Sequence, residues 1–574
     1  MMLKIFWVSL LLASPLISFS QKDSTTFISP VKIPILLSAN FAELRSDHFH
    51  SGIDIKTQGV VGKEVVAAAD GYVYRIGVAA SGFGNALYIR HPSGHSTVYA
   101  HLDRFIPEIE HYVTNEQYSR RTFALNLYPP SGMFTFKQGD LIGYAGNSGG
   151  SAGPHLHYEM RDSRTENPIN PLAFYFGVKD TRKPIFEQLA IYPLSDDSRV
   201  NNRNSKRIVS IQGGDGNYYI HPDNKITLHG KIGFGIRAYD LLNGANNKCG
   251  IYSMALYVDD NLIFRYVADE YSYSETQYIN SHIDYESYIR NRVHYQKAFV
   301  APNDKLSIYK DLVNNGVFEF NDNNTHSVKV SITDSHGNSS LLSFNVQSDA
   351  SSPEPITDDP IPPYTMMRYD QPNVFRAENL YISIPAGALF DSLKFRYEVT
   401  PAEKGMYSDI HHIHDIYTPI LGTFQLKIKP SEIPLGNESK LLITKQTDQK
   451  TKSPLKSTLT PDGFLTADAG SFGDYYIDID TVAPRITPQT NIRGADLTGR
   501  KDIRIRISDN LSGIRDYVAT IDGGWALFEY DQKNNMLIYN FSKSRIMESS
   551  THNLILTVTD NVGNSSVYEA EFEW

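Results

Sequence analysis

Four residues in two short motifs have the types and the spacing of a metal site. His50 and Asp54 belong to the segment His-Ser-Gly-Ile-Asp, and His155 and His157 flank a single leucine later in the chain. Two imidazoles and one carboxylate, from His50, Asp54 and His157, are a ligand set that suits Zn²⁺ and leaves a fourth position for water. Side chains two apart on a β-strand point the same way, so His155 is expected beside that water, ready to handle protons. The chemistry that these residues predict is hydrolysis by a metal-activated water.

Either motif alone is weak evidence, but the stretch between them contains further blocks in a recognisable order. The blocks are 62–71 (GKEVVAAADG), 82–85 (GFGN), 91–94 (HPSG), 99–102 (YAHL), 137–143 (KQGDLIG) and 149–157 (GGSAGPHLH). The ordered series resembles the lysostaphin-type zinc endopeptidases, also called LytM domains, which cut the peptide cross-links of bacterial cell wall. The resemblance runs from about Phe41 to Leu172, roughly a quarter of the 574 residues.

The matching motifs carry the roles of individual residues over from that family. His50 and Asp54 match the HxGxD metal ligands, and His157, the second histidine of HxH, matches the third ligand. His155, and His101 in YAHL, match two active-site histidines that do not bind the metal. The resemblance therefore implies one Zn²⁺ per chain and two catalytic histidines, between which the sequence does not divide the roles. No ligand or catalytic position is substituted, whereas some relatives lose these residues and act as non-enzymatic activators.

Two features near the motifs have more than one interpretation. Glu159 follows HxH by two positions, and it either orients a ligand histidine or is an ordinary strand residue, which is the favoured interpretation. The stretch 104–136, between YAHL and KQGD, is longer than a simple connection needs. It either caps and reshapes a substrate groove or packs as a surface excursion.

Length and composition set limits on the rest of the molecule. A chain of 574 residues suggests about four domains. Its hydrophobic content of 41% and its 36 tyrosines are typical of folded, β-rich cores. The net charge of −10 argues against a nucleic-acid partner. Cys249 is the only cysteine, which excludes an intrachain disulfide.

The N-terminus predicts a secretory signal. Lys4 precedes the apolar run 5–17, and the small polar segment 18–20 follows, so cleavage is expected after Ser20. The run is short and interrupted by Pro15, which disfavours a retained anchor. No later segment is apolar enough to span a bilayer. The mature chain is therefore expected to be exported, either to the periplasm or outer envelope or into the medium, without a membrane span.

Past residue 171 the sequence changes to alternating apolar and polar strands between Asn, Asp and Gly turns, and it contains an internal repeat. The segments 180–185, 238–251 and 325–340 correspond to 480–485, 507–514 and 551–566. Each copy opens at an Asp-Thr boundary, runs through an Asp…Gly-Ile turn and closes on a final hairpin. The pattern resembles the immunoglobulin-like β-sandwiches of bacterial surface and periplasmic proteins.

These patterns predict a mainly β protein: an N-terminal antiparallel-β LytM-type domain followed by three β-rich domains, at least two of them immunoglobulin-like sandwiches. The predicted boundaries are 1–20 for the signal peptide, 21–180 for the zinc peptidase domain (core 41–172), 181–350 for a sandwich with an insertion at 266–312, 351–480 for a linker plus a β-rich domain, and 481–574 for a second sandwich.

Two turns of the pattern Asp-x-x-Gly-Asn, at 334–338 and 560–564, close the two copies. Oxygen-rich turns can bind Ca²⁺, but each of these turns has too few carboxylates for a closed site. Hairpin-turn chemistry is the favoured interpretation.

The predicted function is that of an exported zinc metalloendopeptidase that hydrolyses peptide cross-links or stem peptides of peptidoglycan. The alternative is a non-enzymatic LytM-type regulator or wall-binding protein that activates another cell-wall hydrolase. A third interpretation is a surface adhesin with a vestigial metal domain. The intact metal-site residues favour the enzyme. The expected partners are peptidoglycan and, through the β-sandwiches, a protein or an envelope component.

Overall fold

A computed structural model of the chain describes residues 27–174, 177–351, 363–447, 451–548 and 550–574. The predicted signal peptide and linker residues 352–362 lie outside the described residues. The described chain is mainly β, as predicted. None of its described helices is both long enough and apolar enough to cross a membrane.

The first region (residues 27–174) is built on one antiparallel sheet. In spatial order its main strands are Leu37–Ala39, Ile53–Lys56, His155–Asp162, His95–Phe105, Asn85–Arg90, Gly71–Val78 and Leu125–Leu127. Shorter strands, Glu64–Val66, Thr135–Phe136, Leu141–Ala145 and Pro168–Ile169, extend this sheet, and a 3₁₀ turn follows at Pro171–Ala173. The strand His155–Asp162 is buried at six consecutive positions because neighbouring strands cover both of its edges and core side chains cover its faces.

The long stretch 104–136 packs on the sheet and does not cap the cleft. It contains the helix Pro107–Arg120, which begins with a proline at the position where a missing N–H is harmless. Ile109 and Val113 face the core, and the strand that follows the helix pairs with Gly71–Val78. No described residue of 104–136 lines the cleft at the metal centre. Of the two interpretations of this stretch, the surface excursion is the one that the structure has.

The second region (177–351) shares its hydrophobic core with the first. Phe41 and Phe49 of the first region pack among the buried side chains of the second, and Leu242 and Cys249 of the second pack in the core of the first. Its strands are Ile185–Pro193, Arg199–Val200, Arg207–Ser210, Gln212–Gly214, Asn217–Tyr219, Thr227–Tyr239, Ser253–Val258, Asn261–Val267, Gln296–Lys297, Tyr309–Leu312, Phe318–Phe320, Thr325–Thr333 and Ser339–Ser348. Its helical segments are Tyr273–Tyr278, Ile279–His282, Tyr285–Asn291 and Asn314–Gly316.

The third region (363–480) has its own core between two five-stranded sheets. Its strands are Thr365–Met367, Asn373–Ala377, Leu380–Ile384, Leu393–Phe395, Tyr397–Thr400, Ile410–Ile413, Phe424–Ile428, Leu441–Gln446, Lys452–Pro454, Thr458–Leu459, Leu465–Ala469 and Gly473–Ile479. A 3₁₀ turn lies at Glu438–Lys440.

The fourth region (481–574) packs a four-stranded sheet and a five-stranded sheet around one core. Ile503, Ile505 and Ile507 are buried at every second position of one strand, the alternation that a half-covered strand requires. Its strands are Arg485–Pro488, Ala495–Asp496, Asp502–Ser508, Ile514–Ile521, Gly524–Trp525, Phe528–Asp531, Met536–Asn540, Thr551–Asp560 and Ser565–Glu573, with 3₁₀ turns at Gln532–Asn534 and Phe541–Lys543.

The fourth region folds back onto the first. The Tyr118 hydroxyl, on the helix of the first region, donates to the carbonyl of Lys543 at 3.0 Å, and its ring meets that of Trp525 edge-on at 5.3 Å. The Lys543 ammonium lies 2.6 Å from both Glu110 and Glu529. The first and fourth regions are therefore held together by an aromatic contact and by one ammonium group shared between two carboxylates.

Candidate metal centre

Three neighbouring antiparallel strands bring the predicted ligands together. His157 lies on the central strand, opposite Asp54 on one neighbouring strand and opposite Ala100 on the other. His50 approaches from the loop that precedes the strand of Asp54. One ligand atom from each of His50, Asp54 and His157 lies within 4.8 Å of the other two.

The hydrogen bonds of the two ligand histidines settle which nitrogens face inward. Nδ1 of His50 lies 2.7 Å from the carbonyl oxygen of Asn40. Nε2 of His157 lies 3.0 Å from a carboxylate oxygen of Glu159. Because both partners only accept hydrogen bonds, the N–H of each neutral ring points outward. The remaining nitrogens, Nε2 of His50 and Nδ1 of His157, direct their lone pairs into the site.

These lone pairs make the residues a good fit to a metal ion. The two inward nitrogens lie 3.0 Å apart, and Oδ1 of Asp54 lies 3.0 Å from that of His50 and 2.9 Å from that of His157. Three acceptors that converge in this way repel one another unless a cation lies between them. Two imidazole nitrogens and one carboxylate oxygen are the donors that Zn²⁺ prefers in hydrolytic sites.

The two ligand imidazoles have pKa values shifted in opposite directions. Burial lowers the pKa of His50. Burial also acts to lower the pKa of His157, but its hydrogen bonds with Asp54 and Glu159 outweigh this effect and raise the pKa to about 9. A proton on His157 and a metal ion therefore compete for the same nitrogen, and metal binding is expected to weaken as the pH falls.

His101 and His155 lie beside the ligands, and the backbone fixes one ring nitrogen of each. Nδ1 of His101 donates to the carbonyl of Ser148 at 2.8 Å, and Nδ1 of His155 donates to the carbonyl of Gly153 at 2.8 Å. The two ring centroids are 4.8 Å apart. Burial, together with the neighbouring His157 and His155, lowers the pKa of His101 to about 3. His101 is therefore neutral near pH 7, and its Nε2 carries a lone pair that can accept a hydrogen bond.

A β-bulge turns His101 towards this group. Between the pairs Asn85–Leu102 and Leu87–Tyr99, the strand of His101 has one residue more than its partner. His101 takes up the extra length in the left-handed region, with φ +59°. A non-glycine residue in this region costs on the order of 1 kcal/mol, and such strain is typical of residues whose side chain must be aimed.

A second layer of residues holds His157 and reaches into the second region. Glu159 is fully buried and accepts from His157, from the hydroxyl of Ser51 and from the guanidinium of Arg161. The hydroxyl of Tyr273, from the insertion of the second region, lies 3.0 and 2.9 Å from its two oxygens. The favoured interpretation of Glu159 as an ordinary strand residue was therefore wrong. The sequence gives no signal for Tyr273, because only tertiary packing brings it here.

The second region supports His50 as well. Asn40, whose carbonyl holds the His50 ring, exchanges two hydrogen bonds with the backbone of Gly250, at 2.7 and 2.8 Å. The carbonyl of Phe49, next to His50, accepts from the Tyr271 hydroxyl at 2.9 Å. Both ligand histidines are thus positioned through residues that belong to another region of the chain.

An open cleft of about 470 Å³ leads to the ligands. Phe83 forms part of its wall and stacks on the ring of His157, with centroids 5.2 Å apart. Ser151 lies on the rim, and its carbonyl accepts from the ammonium of Lys533 at 3.0 Å. The same ammonium donates to the carbonyl of Asn147. The fourth region therefore fixes one edge of the cleft.

Two family models match parts of the chain. Residues 48–118 match the family model described as peptidase family M23, and residues 364–480 match the Zu5-like domain. The chain contains a peptidase family M23 domain. The Zu5-like match covers the third region, for which the sequence predicted only a β-rich domain. The immunoglobulin-like assignment of the second and fourth regions stays a prediction, as do the roles of the five site residues.

Similar proteins match part of the chain. The DD-carboxypeptidase/endopeptidase Mpg of Neisseria meningitidis is 33% identical over 130 residues, which cover 23% of this chain and 24% of that protein. An uncharacterized metalloprotease of Haemophilus influenzae is 31% identical over 121 residues, 21% of this chain and 20% of that one. The solved catalytic domain of lysostaphin from Staphylococcus simulans is 20% identical, with a TM-score of 0.19, covering 24% of this chain and 91% of that domain. The chain thus spans about a quarter of the length of these curated relatives.

Proposed function

We propose that this chain is an exported zinc metalloendopeptidase that hydrolyses peptide cross-links or stem peptides of peptidoglycan. The observation that carries the proposal is the convergence of three acceptor atoms, from His50, Asp54 and His157, at one point of an open cleft. Two further histidines with fixed rings, His101 and His155, stand beside that point. The name of the Neisseria relative, which includes endopeptidase, supports a peptide bond as the target.

The residues of the chain divide the work of such a hydrolysis. His50, Asp54 and His157 would hold a zinc ion, which would supply Lewis acidity and lower the pKa of bound water. His101 would accept the proton of the attacking water at Nε2, since its Nδ1 is committed to a backbone carbonyl. His155 is the second proton-handling group, and it stabilises the developing oxyanion or protonates the leaving amine.

The alternative function, a regulator that activates another hydrolase, does not require the metal ligands or His101. A regulator gains nothing from the strained backbone of His101 or from a fully buried Glu159 behind the ligand His157. These features favour the enzyme, because the bulge turns His101 and the carboxylate holds His157 towards the centre of the cleft.

Zinc content measured beside muropeptide analysis tests the proposal. The mature chain, 21–574, is expected to contain one zinc ion and to remove cross-linked dimers from intact sacculi. His101→Ala is expected to keep the zinc and lose the cleavage, and His221→Ala, at an exposed histidine of the second region, is expected to keep both. A chain that binds no zinc and cleaves no sacculi would refute the proposal. Zinc without cleavage would favour the regulator.

A further inference from the structure

Two groups of aspartates lie outside the metal centre, at corresponding positions of the second and fourth regions. In the fourth region the ligand atoms of Asp480, Asp509 and Asp560, the fourth-region cluster, lie within 4.8 Å of one another. In the second region those of Asp180, Asp334 and His336 do so, and the charges of both aspartates act on the buried Asp240. Asp180, Asp240 and Asp334 are called the second-region cluster. In each copy the three residues come from the Asp-Thr boundary, the Asp…Gly-Ile turn and the closing Asp-x-x-Gly-Asn turn. The three signatures of the internal repeat therefore meet at one place in each copy.

The same hydrogen bonds build both clusters. In the second region Asn338 donates to Asp334 through its backbone at 2.9 Å and through its side chain at 2.7 Å, and the side chain also lies 3.2 Å from the carbonyl of Asp180. Asn564 makes the same three bonds in the fourth region, at 2.8, 2.7 and 3.0 Å. The boundary is thus tied to the closing turn in the same way twice.

The middle turn joins each cluster in the same manner. The Asp180 carboxylate accepts from the N–H of Asn243 at 3.2 Å, and the Asp480 carboxylate accepts from the N–H of Ser512 at 2.9 Å. Each donor stands three positions after the turn aspartate of its copy. The same hydrogen bonds therefore occur in both copies, although little else of the two sequences is alike. In each copy they join three separate segments and not the two strands of one hairpin.

Some carboxylate oxygens in the clusters have no partner. Asp180 is 8% exposed and Asp240 2% exposed, and Oδ2 of Asp180 and Oδ1 of Asp240 lack a hydrogen bond among the described residues. Oδ1 of Asp509 is in the same situation. Burial, together with the charges of Asp334 and Asp180, raises the pKa of Asp240 to about 7. None of the six carboxylates forms an ion pair within the part of the chain that the structure describes.

Buried carboxylates that repel one another and have free oxygens are what an oxygen-binding cation requires. Ca²⁺ accepts six to eight oxygen ligands in flexible geometry, from carboxylates, carbonyls and water. The donors shared by both clusters are carboxylates only. His336, whose ring lies near Asp180 and Asp334, corresponds to Val562 in the other copy. We propose that the second-region and fourth-region clusters each bind one Ca²⁺.

The position of the clusters gives the bound ions a role. Asp180 belongs to the connection between the first and second regions, and Asp480 to the connection between the third and fourth. The backbone carbonyl of Lys440, in the third region, accepts a hydrogen bond from the N–H of Asp480 at 3.1 Å. The ammonium of the same lysine donates to the carbonyl of Val562 at 2.9 Å. A cation at this junction stabilises the orientation in which the fourth region reaches the edge of the M23 cleft.

Calcium titration of the zinc-loaded mature chain tests the proposal. Isothermal titration with CaCl₂ is expected to give two Ca²⁺ per chain and a raised Tm. Asp240→Asn and Asp509→Asn are each expected to reduce the stoichiometry to one, and the double variant to zero. Asp215→Asn, at an aspartate whose side chain is 99% exposed, is the matched control and is expected to keep two. No Ca²⁺ bound by the folded wild-type chain, or an unchanged stoichiometry in both variants, would overturn the proposal. So would saturation of the clusters by Zn²⁺ in place of Ca²⁺.

Stability without calcium distinguishes a lost site from a damaged fold. Each Asn substitution removes one of three repelling charges and keeps the shape of the side chain. In calcium-free buffer the variants are therefore expected to unfold at the same temperature as the wild type or above it. With CaCl₂ added, the unfolding temperature of the wild type is expected to rise above that of both variants. A variant that unfolds below the wild type in calcium-free buffer contradicts the proposed repulsion.

Discussion

The hydrogen bond between Tyr273 and Glu159 tests whether the second region belongs to the metal centre. Tyr273→Phe removes one hydroxyl and keeps the ring, which lies 4.9 Å from the guanidinium of Arg161. A hydrogen bond to a charged group contributes about 1.5–3 kcal/mol, and loss of such a group behind a metal ligand weakens metal binding about 10–100-fold. Glu159 keeps its bonds to His157, Ser51 and Arg161. The expected loss is therefore at the lower end, about tenfold in zinc affinity.

Competition with a chromophoric zinc chelator measures this loss directly. Tyr273→Phe is expected to bind zinc about tenfold more weakly and to recover nearly full turnover at saturating zinc, because the catalytic histidines are untouched. Tyr219→Phe, at a tyrosine of the same region that is 49% exposed, is expected to match the wild type in both measurements. Wild-type zinc affinity in Tyr273→Phe would refute the positioning argument. Unchanged affinity with reduced turnover would show instead that the hydroxyl acts on the substrate side.

The remaining predictions concern the ligand, the base, the pH and the fourth region. His157→Ala is expected to lose zinc and activity together, whereas His101→Ala keeps zinc and loses about 10²–10⁴-fold in turnover, as metal analysis and single-turnover kinetics will measure. Because the folded-state pKa of His157, about 9, lies above its ordinary value of 6.5, the chelated protein is expected to lose stability as the pH rises from 6.5 towards 9. Thermal unfolding across this range measures the loss, which zinc-loaded protein is not expected to show. Lys543→Met leaves the carboxylates of Glu110 and Glu529 without their shared cation, and it is expected to lower the free energy of unfolding by about 1–3 kcal/mol, measured by denaturant unfolding. Lys404→Met, at an exposed lysine, is the control and is expected to leave this free energy unchanged.

The sequence predicted the metal-site residues better than the residues that hold them in place. The spacing of His155 and His157 places both side chains on one face of a strand, which is local geometry. The family resemblance grouped them with His50 and Asp54, and the pairing of neighbouring strands brings Asp54 opposite His157. Glu159 was misjudged because a carboxylate two positions along a strand has no signature of its own. The site is completed by Tyr273, whose position depends on how the second region packs.

The fold was likewise predictable where it depends on local patterns and not where it depends on tertiary contacts. The mainly β architecture follows from the alternation of apolar and polar residues, which is a local pattern. The helix Pro107–Arg120 was not predicted, although its initial proline and the two glutamates of its first turn are helix-start signals. The aspartate clusters were missed because each turn was judged alone. The carboxylates of Asp180 and Asp240 reach the turn of Asp334 only in the folded chain.

The exchange of side chains between the first two cores changes what counts as a transferable unit. Phe49 is buried among residues of the second region and immediately precedes the ligand His50. The loop that delivers this ligand is therefore packed against both regions. In a recombination experiment, the smallest segment expected to carry the metal site together with these packing contacts is about residues 27–350, well beyond the family match at 48–118. A graft cut at the family boundary would carry His50 and Asp54 but would lack the third ligand, His157, and the second region that packs against Phe49.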